Sequence, residues 1–183
     1  DFNQSMRMKS GADGGALEVG DYQTAFDEVE DKENIIVDFL RAPSLNSRAD
    51  QVAIVNDLVS IAQSTRTDCV VTTSPARSDI MYNNDPVGST VTTAGLFTQS
   101  SYLVMDNNYL KVYDKYNDQY INIAAASSVA GLMAATDQVA APWYSPAGPR
   151  RGNLLGITNI TSSPNQTQRD TLYKSGINPI ANI

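Results

Sequence analysis

Asn34-Ile35-Ile36-Val37-Asp38-Phe39-Leu40 is a mainly apolar run that Pro43 closes, and it decides the fold together with the two segments that follow it. Such a run predicts a buried strand. Over residues 49–65 apolar side chains recur at helical spacing, and residues 68–73 form a second strand-like run. Strand, helix and strand at these lengths predict a βαβ unit with a parallel strand pair and a right-handed crossover.

The elements around this unit extend the prediction on both sides. Upstream, residues 22–29 have the spacing of a short helix, and Ser47 or Asp50 is placed to cap the central one. Downstream, residues 102–105, 109–113 and 119–123 are separated by Asp- and Asn-rich turns, which predicts an antiparallel meander. The predicted fold class is therefore α/β in content: a mixed sheet with a βαβ unit, an antiparallel meander and packed helices.

The last third of the chain predicts two more helices and two more strands. One helix runs from Ser127 or Ser128 through Thr136 with Val129, Leu132 and Met133 on its buried side. The other covers residues 164–174 and starts at Ser163 or Asn165, while residues 154–160 and 177–183 are strand-like.

The composition favours one domain joined to something larger. The 183 residues, 42% hydrophobic and 18% charged, are sufficient for one good core. Residues 1–20, rich in glycine near Lys9–Ala16, are predicted to be a flexible connector from a preceding region. Residues 21–183 are predicted to be the core domain, with a loop insertion at about 74–100 and with truncated C-terminal strands.

The charge is acidic and uneven. A net charge of −7 without a basic tract argues against nucleic-acid binding. Residues 1–60 hold twelve acidic and five basic side chains, whereas residues 137–183 hold two acidic and four basic ones. The acidic front and basic back predict contact between copies of one subunit, or else merely a solvated surface.

Residue types exclude several chemistries. The chain has no His, which removes the Ser-His-Asp and Cys-His mechanisms and the usual zinc and iron ligand sets, and Cys69 in a strand is expected to be a buried, inert thiol. The turn after the first strand lacks phosphate-binding glycines, and turn chemistry explains the Asp and Asn residues better than calcium binding does. Neither cofactor nor metal is expected. No apolar stretch reaches the roughly 18 residues that a membrane span needs, and no signal peptide is evident.

Ala141-Pro142-Trp143-Tyr144-Ser145-Pro146-Ala147-Gly148-Pro149-Arg150-Arg151-Gly152 is too rich in Pro and Gly for a helix or a central strand. It predicts an irregular loop held in one shape. The aromatic pair is expected to anchor this loop, with a Trp buried in its own domain as the plainer interpretation.

This loop resembles the Trp-Tyr-Ser-Pro-Ala-Gly segment, with a following Arg-Gly, of contractile bacteriophage tail sheath proteins. In that family a helix-like Arg-Asp-x-Leu-Tyr and an Ile-Asn-Pro-Ile strand start come next, and here Arg169-Asp170-Thr171-Leu172-Tyr173 and Ile177-Asn178-Pro179-Ile180 follow in the same order. The turn-rich residues 106–118 and 129–132 are similar to sheaths of large myoviruses. The resemblance is strongest over residues 101–180, and Pro149 stands where relatives often carry an aromatic.

The resemblance implies a structural subunit, not an enzyme. Such subunits form hexameric rings that stack into a helical sheath around the tail tube protein, together with baseplate and tail terminator proteins, and contract to drive the tube through the host envelope for genome delivery. The implied location is the virion tail, after assembly in the host cytoplasm, with no nucleic acid bound and no membrane insertion. The alternatives are a non-contractile tail or secretion-system subunit, or a carboxylate-dependent hydrolase that uses Asp38 or Asp106.

The candidate interface residues follow from the same motifs. Trp143 and Tyr144 are expected to fix the loop against the domain, while Arg150 and Arg151 are placed to pair with carboxylates or to remain solvated. Arg169 and Asp170 are expected to form an intramolecular pair. The full set of structural or interface candidates is Trp143, Tyr144, Pro146, Gly148, Arg150, Arg151, Arg169, Asp170, Asn178 and Pro179.

Overall fold

A computed structural model describes residue 11 and residues 14–182. Most of the predicted connector over residues 1–20 lies outside the described residues, and helix α1 begins within it at Val19. The rest of the chain forms six α-helices and two three-stranded sheets among the described residues, which confirms the α/β class.

The first sheet is parallel and contains the predicted βαβ unit. Its strands β1 (Phe39–Arg41), β2 (Val70–Thr73) and β3 (Leu103–Met105) lie in the order β1-β2-β3. Helix α2 (Arg48–Ser60) connects β1 to β2 and continues into a turn of π-helix, Ile61–Arg66. The βαβ prediction is confirmed in its strand pairing, with Leu40 opposite Val71.

Helix α2 forms for the reasons that the sequence offers. The Ser47 hydroxyl oxygen accepts a hydrogen bond from the Asp50 amide at 3.4 Å, which satisfies one of the free donors at the helix start. One face is fully buried in the main core and carries Ile54, Val55, Leu58 and Val59. The helix ends after Arg66, where Thr67 takes a left-handed conformation with φ of 58°.

The acidic segment before the first sheet packs on this core through its few apolar residues. Helix α1 (Val19–Asp27) and the 3-10 turn Glu28–Glu30 direct Tyr22, Phe26 and Val29 inward. The predicted strand over residues 34–40 is wrong for its first half, since β1 begins at Phe39 and Ile36 is 89% exposed. There the Asp31 carboxylate accepts hydrogen bonds from the Asn34 backbone and side chain, which form a local turn that competes with strand pairing.

The buried side chain of Arg66 stabilises this turn through hydrogen bonds to the backbone on either side of it. Its side chain is 1% exposed, and its guanidinium donates to the carbonyl oxygens of Val29 at 2.6 Å and Ile35 at 2.9 Å while pairing with Asp68. A rigid fork of five donors satisfies all these acceptors at once. The apolar run of residues 34–37 is therefore ordered by an arginine instead of by a sheet.

The predicted loop over residues 74–100 is wrong, because two helices occupy it. Helix α3 is Arg77–Ile80 and helix α4 is Pro86–Ala94. Asp85 caps α4 by accepting from the Gly88 amide at 2.9 Å, and Pro86 occupies the first turn. Of the threonines that gave this segment a loop-like composition, Thr90 donates back to the Pro86 carbonyl at 2.7 Å, and Thr93 donates to the Asp79 carboxylate at 2.6 Å.

The second sheet is antiparallel and separate. Its strands β4 (Tyr109–Asp114), β5 (Gln119–Ala124) and β6 (Asn159–Ile160) lie in the order β5-β4-β6. The predicted three-stranded meander is wrong in its first member, since β3 pairs with β2 in parallel. Parallel and antiparallel pairing are thus divided between two sheets instead of being mixed in one.

The last third is less regular than its apolar runs predicted. Helix α5 (Ala126–Val139) starts at Ala125, so the predicted caps Ser127 and Ser128 lie inside its first turn, and Val129, Leu132 and Met133 are only half-buried. Helix α6 (Gln166–Lys174) begins at Asn165 in a reciprocal capping box with Gln168, as predicted. The predicted strands over residues 154–160 and 177–183 reduce to β6 and to one parallel bridge between Asp106 and Asn178 within the described residues.

A turn of three buried polar residues joins the two sheets. We call Asp106-Asn107-Asn108 the polar turn; it lies between β3 and β4, and its side chains are at most 2% exposed. The Asp106 carboxylate accepts from the Ser74 hydroxyl at 2.8 Å, and Ser74 in turn accepts from the Ala126 amide at 3.0 Å. The turn thereby links the end of β2 to the start of α5.

The two asparagines bind the C-terminal part of the chain. The Asn107 side-chain oxygen accepts from the Ile180 amide at 2.7 Å, and that of Asn108 accepts from the Ser162 amide at 3.0 Å. The Asn108 amide group donates to the carbonyl oxygens of Ser162 and Ile180. Both asparagine side chains are thus hydrogen-bonded to segments remote in sequence, as burial favours.

Burial raises the pKa of Asp106 to about 7, and its hydrogen bonds from the Asn108 amide and Ser74 oppose that rise. The unfolded chain releases this proton near pH 3.8 while the folded chain keeps it until about 7. The protonated carboxyl therefore contributes stability that is complete below about pH 4 and is lost as the pH rises through 7.

We expect the free energy of unfolding to fall by roughly 4 kcal/mol across this interval on account of Asp106, since a pKa difference of one corresponds to about 1.4 kcal/mol. Asp106→Asn keeps the acceptor for the Asn108 amide and removes the titration, so its loss across the interval should be smaller by that amount. Urea unfolding at several pH values measures both. Identical pH dependence in the two proteins would contradict the assignment.

Candidate assembly surface

The loop that follows α5, residues 141–153, is held in one shape by its glycines. The Gly152 amide donates to the Gly148 carbonyl at 2.8 Å, and Gly148 has a φ of 87°. A Cβ at Gly152 would lie 2.9 Å from that same carbonyl oxygen, so the loop can close on itself only with glycine there. The prediction of an irregular loop is confirmed, and Pro146 is one of its half-buried residues.

The aromatic residues of the loop face outward. Trp143 is 82% exposed; its ring lies 5.6 Å from that of Tyr144, and the Arg151 guanidinium stacks 3.9 Å from the centre of the Tyr144 ring. The prediction that Trp143 and Tyr144 fix the loop against the domain is wrong in this chain. The aromatic rings and the guanidinium pack on one another, because glycine contacts already close the loop behind them.

The arginines have no carboxylate partner within the described chain. The ion pairs among residues 14–182 are Arg48 with Asp79 and Arg66 with Asp68. Arg150 is exposed beside the stacked Arg151. Neither of these two arginines therefore pairs with a carboxylate of residues 14–182 in the same copy of the chain.

The predicted pair between Arg169 and Asp170 is also wrong. The Arg169 guanidinium donates to the Pro164 carbonyl at 3.2 Å, just before α6 begins, and Asp170 is exposed. Neighbouring residues on a helix point about 100° apart, so the two side chains do not face each other.

A groove of about 800 Å³ runs beside the loop. One wall is the half-buried face of α5 that carries Val129, Leu132 and Met133, and the opposite walls are the loop and residues 178–182. Asn178 secures the latter wall, since its backbone amide and its side-chain amide donate to the Met105 carbonyl at 2.9 Å and 3.2 Å. Pro179 and Arg169 complete the lining.

The hairpin of β4 and β5 adds a second exposed surface that the sequence analysis did not identify as one. Ile121 and Ile123 on β5 are partly exposed, and Tyr113 and Tyr120 lie opposite each other with ring centres 5.3 Å apart. Strand β5 is an edge of its sheet in the described residues, so one side of its backbone is available for pairing. Alternation of apolar and polar side chains on both strands was the signal that could have revealed it.

The described residues offer little for catalysis. Asp38 is exposed, and Asp106 is sealed in the polar turn without a second carboxylate in contact. Cys69 is buried as predicted, and desolvation raises the pKa of its thiol, which disfavours the reactive thiolate. Within residues 11 and 14–182 no group of three or more His, Cys, Asp or Glu side chains is placed to hold a metal ion. None of the helices described is long and apolar enough to cross a membrane.

Comparison with known proteins identifies the family. The model of the phage tail sheath protein central domain matches residues 15–182. The tail sheath protein of Enterobacteria phage T4 is 33% identical over 195 residues, covering 98% of this chain, and that of Vibrio phage KVP40 is 33% identical over 179 residues, covering 87%. The chain belongs to the phage tail sheath protein family.

Solved structures confirm the fold. A chain in the cryo-EM structure of the anti-feeding prophage baseplate matches with a TM-score of 0.64 at 16% identity, covering 90% of this chain and 38% of that one. A chain in the contracted helical sheath of the same particle matches with a TM-score of 0.62 at 16% identity, covering 93% and 41%. The chain spans only 29% and 26% of the lengths of the two phage relatives.

We expect Trp143→Ala to change the free energy of unfolding of this chain by no more than about 0.5 kcal/mol, because an exposed side chain loses little contact on truncation. Leu172→Ala, at a fully buried position in α6, should cost about 2–5 kcal/mol. Thermal or urea unfolding followed by circular dichroism compares the two. A large loss of stability in Trp143→Ala would show that the indole is packed against the domain after all.

Proposed function

We propose that this chain is the core domain of a structural subunit of a contractile phage tail sheath. Membership of the tail sheath family over residues 15–182 carries the proposal. In this function, subunits form hexameric rings that stack into a helical sheath around the tail tube protein, between baseplate and tail terminator proteins. The location is the tail of the virion, following assembly in the host cytoplasm.

The described residues support an assembly role by what they leave exposed. The stacked Trp143, Tyr144 and Arg151, the adjacent groove and the edge strand β5 are surfaces that an isolated monomer does not need. Large exposed aromatic residues beside arginine are typical of protein interfaces. The molecule therefore carries contact surfaces on a domain with a complete core of its own.

Contraction in this proposal is a rearrangement of whole subunits from an extended lattice to a shorter, wider one. The energy for such a change is stored in the assembled lattice, so a subunit needs no nucleotide. The turn after β1 supports this, because Arg41-Ala42-Pro43-Ser44 lacks the glycines of a phosphate-binding loop. The polar turn supports it too, since it ties both sheets into one body that can move as a unit.

Two other functions have weaker support. A non-contractile tail or secretion-system subunit would use the same surfaces, and the likeness of this fold to a baseplate chain favours it as a second candidate. A carboxylate-dependent hydrolase needs paired acids in a pocket, whereas Asp106 is sealed by Ser74 and Asn108. We therefore propose that the chain is not an enzyme.

Negative-stain electron microscopy tests the proposal on the full-length sheath protein that, in our proposal, contains this core domain. We call it the parent sheath protein, and it is purified alone for this experiment. We expect regular tubular sleeves, because subunits that store energy in a lattice must be able to build it from themselves. Tubes that occur in a single diameter under all conditions would favour the non-contractile alternative. Monodisperse particles at high concentration would contradict both structural functions.

A further inference from the structure

We propose that the loop carrying Trp143, Tyr144, Arg150 and Arg151 binds the acidic segment at residues 18–33 of a second copy of this protein. The inference rests on the proposed function and names the two surfaces that meet. We call them the aromatic-arginine loop, residues 141–153, and the acidic segment.

The aromatic-arginine loop is built to receive carboxylates. It carries two arginines and no acidic residue, and the nearest acids in sequence are Asp137 and Asp170. The guanidinium carbon of Arg151 lies over the Tyr144 ring, 3.9 Å from its centre, and its N–H groups form no hydrogen bond with the described residues. A planar fork with a free edge is the geometry that binds a carboxylate with two parallel hydrogen bonds.

The acidic segment supplies the complementary charge. It contains seven acidic residues and one lysine. Asp21 and Asp31 are used locally, for the Glu18 amide and for Asn34, whereas Glu28 and Glu30 are exposed and form no ion pair within the described residues. We therefore infer that the carboxylates of Glu28 and Glu30 are the groups that pair with Arg150 and Arg151 of another copy.

The acidic side chains of this segment also act on a carboxyl group of the neighbouring helix α2. The pKa of Asp57 on α2 is raised first by desolvation and then by the charges of Asp27 and Glu30. One oxygen of the Asp57 carboxylate is also buried without a hydrogen-bond partner. A cation brought by another subunit would relieve this accumulation of like charge.

The two surfaces rest on different parts of the domain. The acidic segment packs on the main core around α2 through Tyr22, Phe26 and Val29, whereas the loop lies beside α5 and residues 178–182. A contact between two different surfaces of identical subunits is heterologous, so each copy joined this way still offers one free surface of each kind. Such a contact propagates into rings or helices, which is the architecture that the proposed function requires.

Trp143 explains why the contact can be strong enough. Exposed ion pairs alone contribute little, because water and salt screen them. An indole beside the arginines adds apolar area and excludes water from the pairs when a partner covers it. The exposed Trp and the unpaired arginines are thus parts of one interface.

Charge reversal in the parent sheath protein tests the pairing. Arg150→Glu with Arg151→Glu, and separately Glu28→Arg with Glu30→Arg, should each raise the concentration at which polymers form by at least about tenfold, because like charges then face each other. Combining all four changes should restore polymers. Arg41→Glu with Lys174→Glu, exposed bases outside both surfaces and outside the β4–β5 hairpin, is the matched control and should have little effect.

Sedimentation measures the polymer fraction, and circular dichroism confirms that each variant is folded. Failure of the fourfold variant to recover while the parent polymerises would overturn the pairing and leave the proposed function standing. If the arginine reversals abolish polymers and no reversal in the acidic segment restores them, the loop binds another protein, and the inference is again overturned.

Disulfide trapping tests the contact even if the parent forms no polymers, the result that would contradict the proposed function. A copy with Arg150→Cys is mixed with a copy with Glu28→Cys under mild oxidation, with Cys69 buried in both. We expect mixed dimers well above the yield obtained with Lys174→Cys in place of Glu28→Cys. Equal yields would overturn the inference.

Discussion

The polar turn between the two sheets is the constraint on which the rest of the structure depends. Asp106, Asn107 and Asn108 are three consecutive polar residues with almost no access to water. Burial of such groups is costly unless each one is hydrogen-bonded. Their partners are Ser74, Ile180 and Ser162, which come from three segments far apart in sequence. The turn can be buried only when all three segments are in place, so it couples the two sheets.

This coupling explains how small sheets form a stable body. Neither sheet is large. The longest strand of the first sheet, β2, has four residues; in the second sheet β4 has six residues, and β6 has only two. The first sheet packs on α2 and the main core, while the second has a smaller core of Leu110, Ala125 and Ile160. Hydrogen bonds at the polar turn, together with the bridge between Asp106 and Asn178, hold these two cores against each other. The loop with Trp143 then projects from a fixed base.

Elements whose signal is local were predictable from the sequence. The βαβ unit, the hairpin of β4 and β5 and the start of α6 at Asn165 follow from periodicity and cap residues, and the structure confirms them. The irregular course of the loop at residues 141–153 also follows from its glycines and prolines. The family could be identified because the Trp143 loop and the residues after Arg169 form one ordered set of motifs.

Features that depend on remote partners were not predictable. Residues 34–37 are as apolar as a strand, yet the buried Arg66 binds this region, and nothing local indicates it. Strand β3 has a sequence suited to a meander, but the polar turn behind it separates the sheets. Trp143 was expected to anchor its loop against the domain, but it is 82% exposed, and no local feature of the sequence distinguishes an inward from an outward aromatic ring in such a loop. Helix α4 is different, since its Asp85-Pro86 start was a local signal that the threonine-rich composition concealed.

Hydrogen exchange of individual amides, followed by NMR, tests the central claim that the polar turn makes the two sheets one cooperative unit. The amides of Ser162 and Ile180 donate to the turn, and that of Val71 donates to the Tyr102 carbonyl in the first sheet. The account predicts that all three exchange at the same slow rate, set by global unfolding. Exchange at Ser162 and Ile180 on the order of a thousandfold faster than at Val71 would contradict it, because the second sheet would then open without the first.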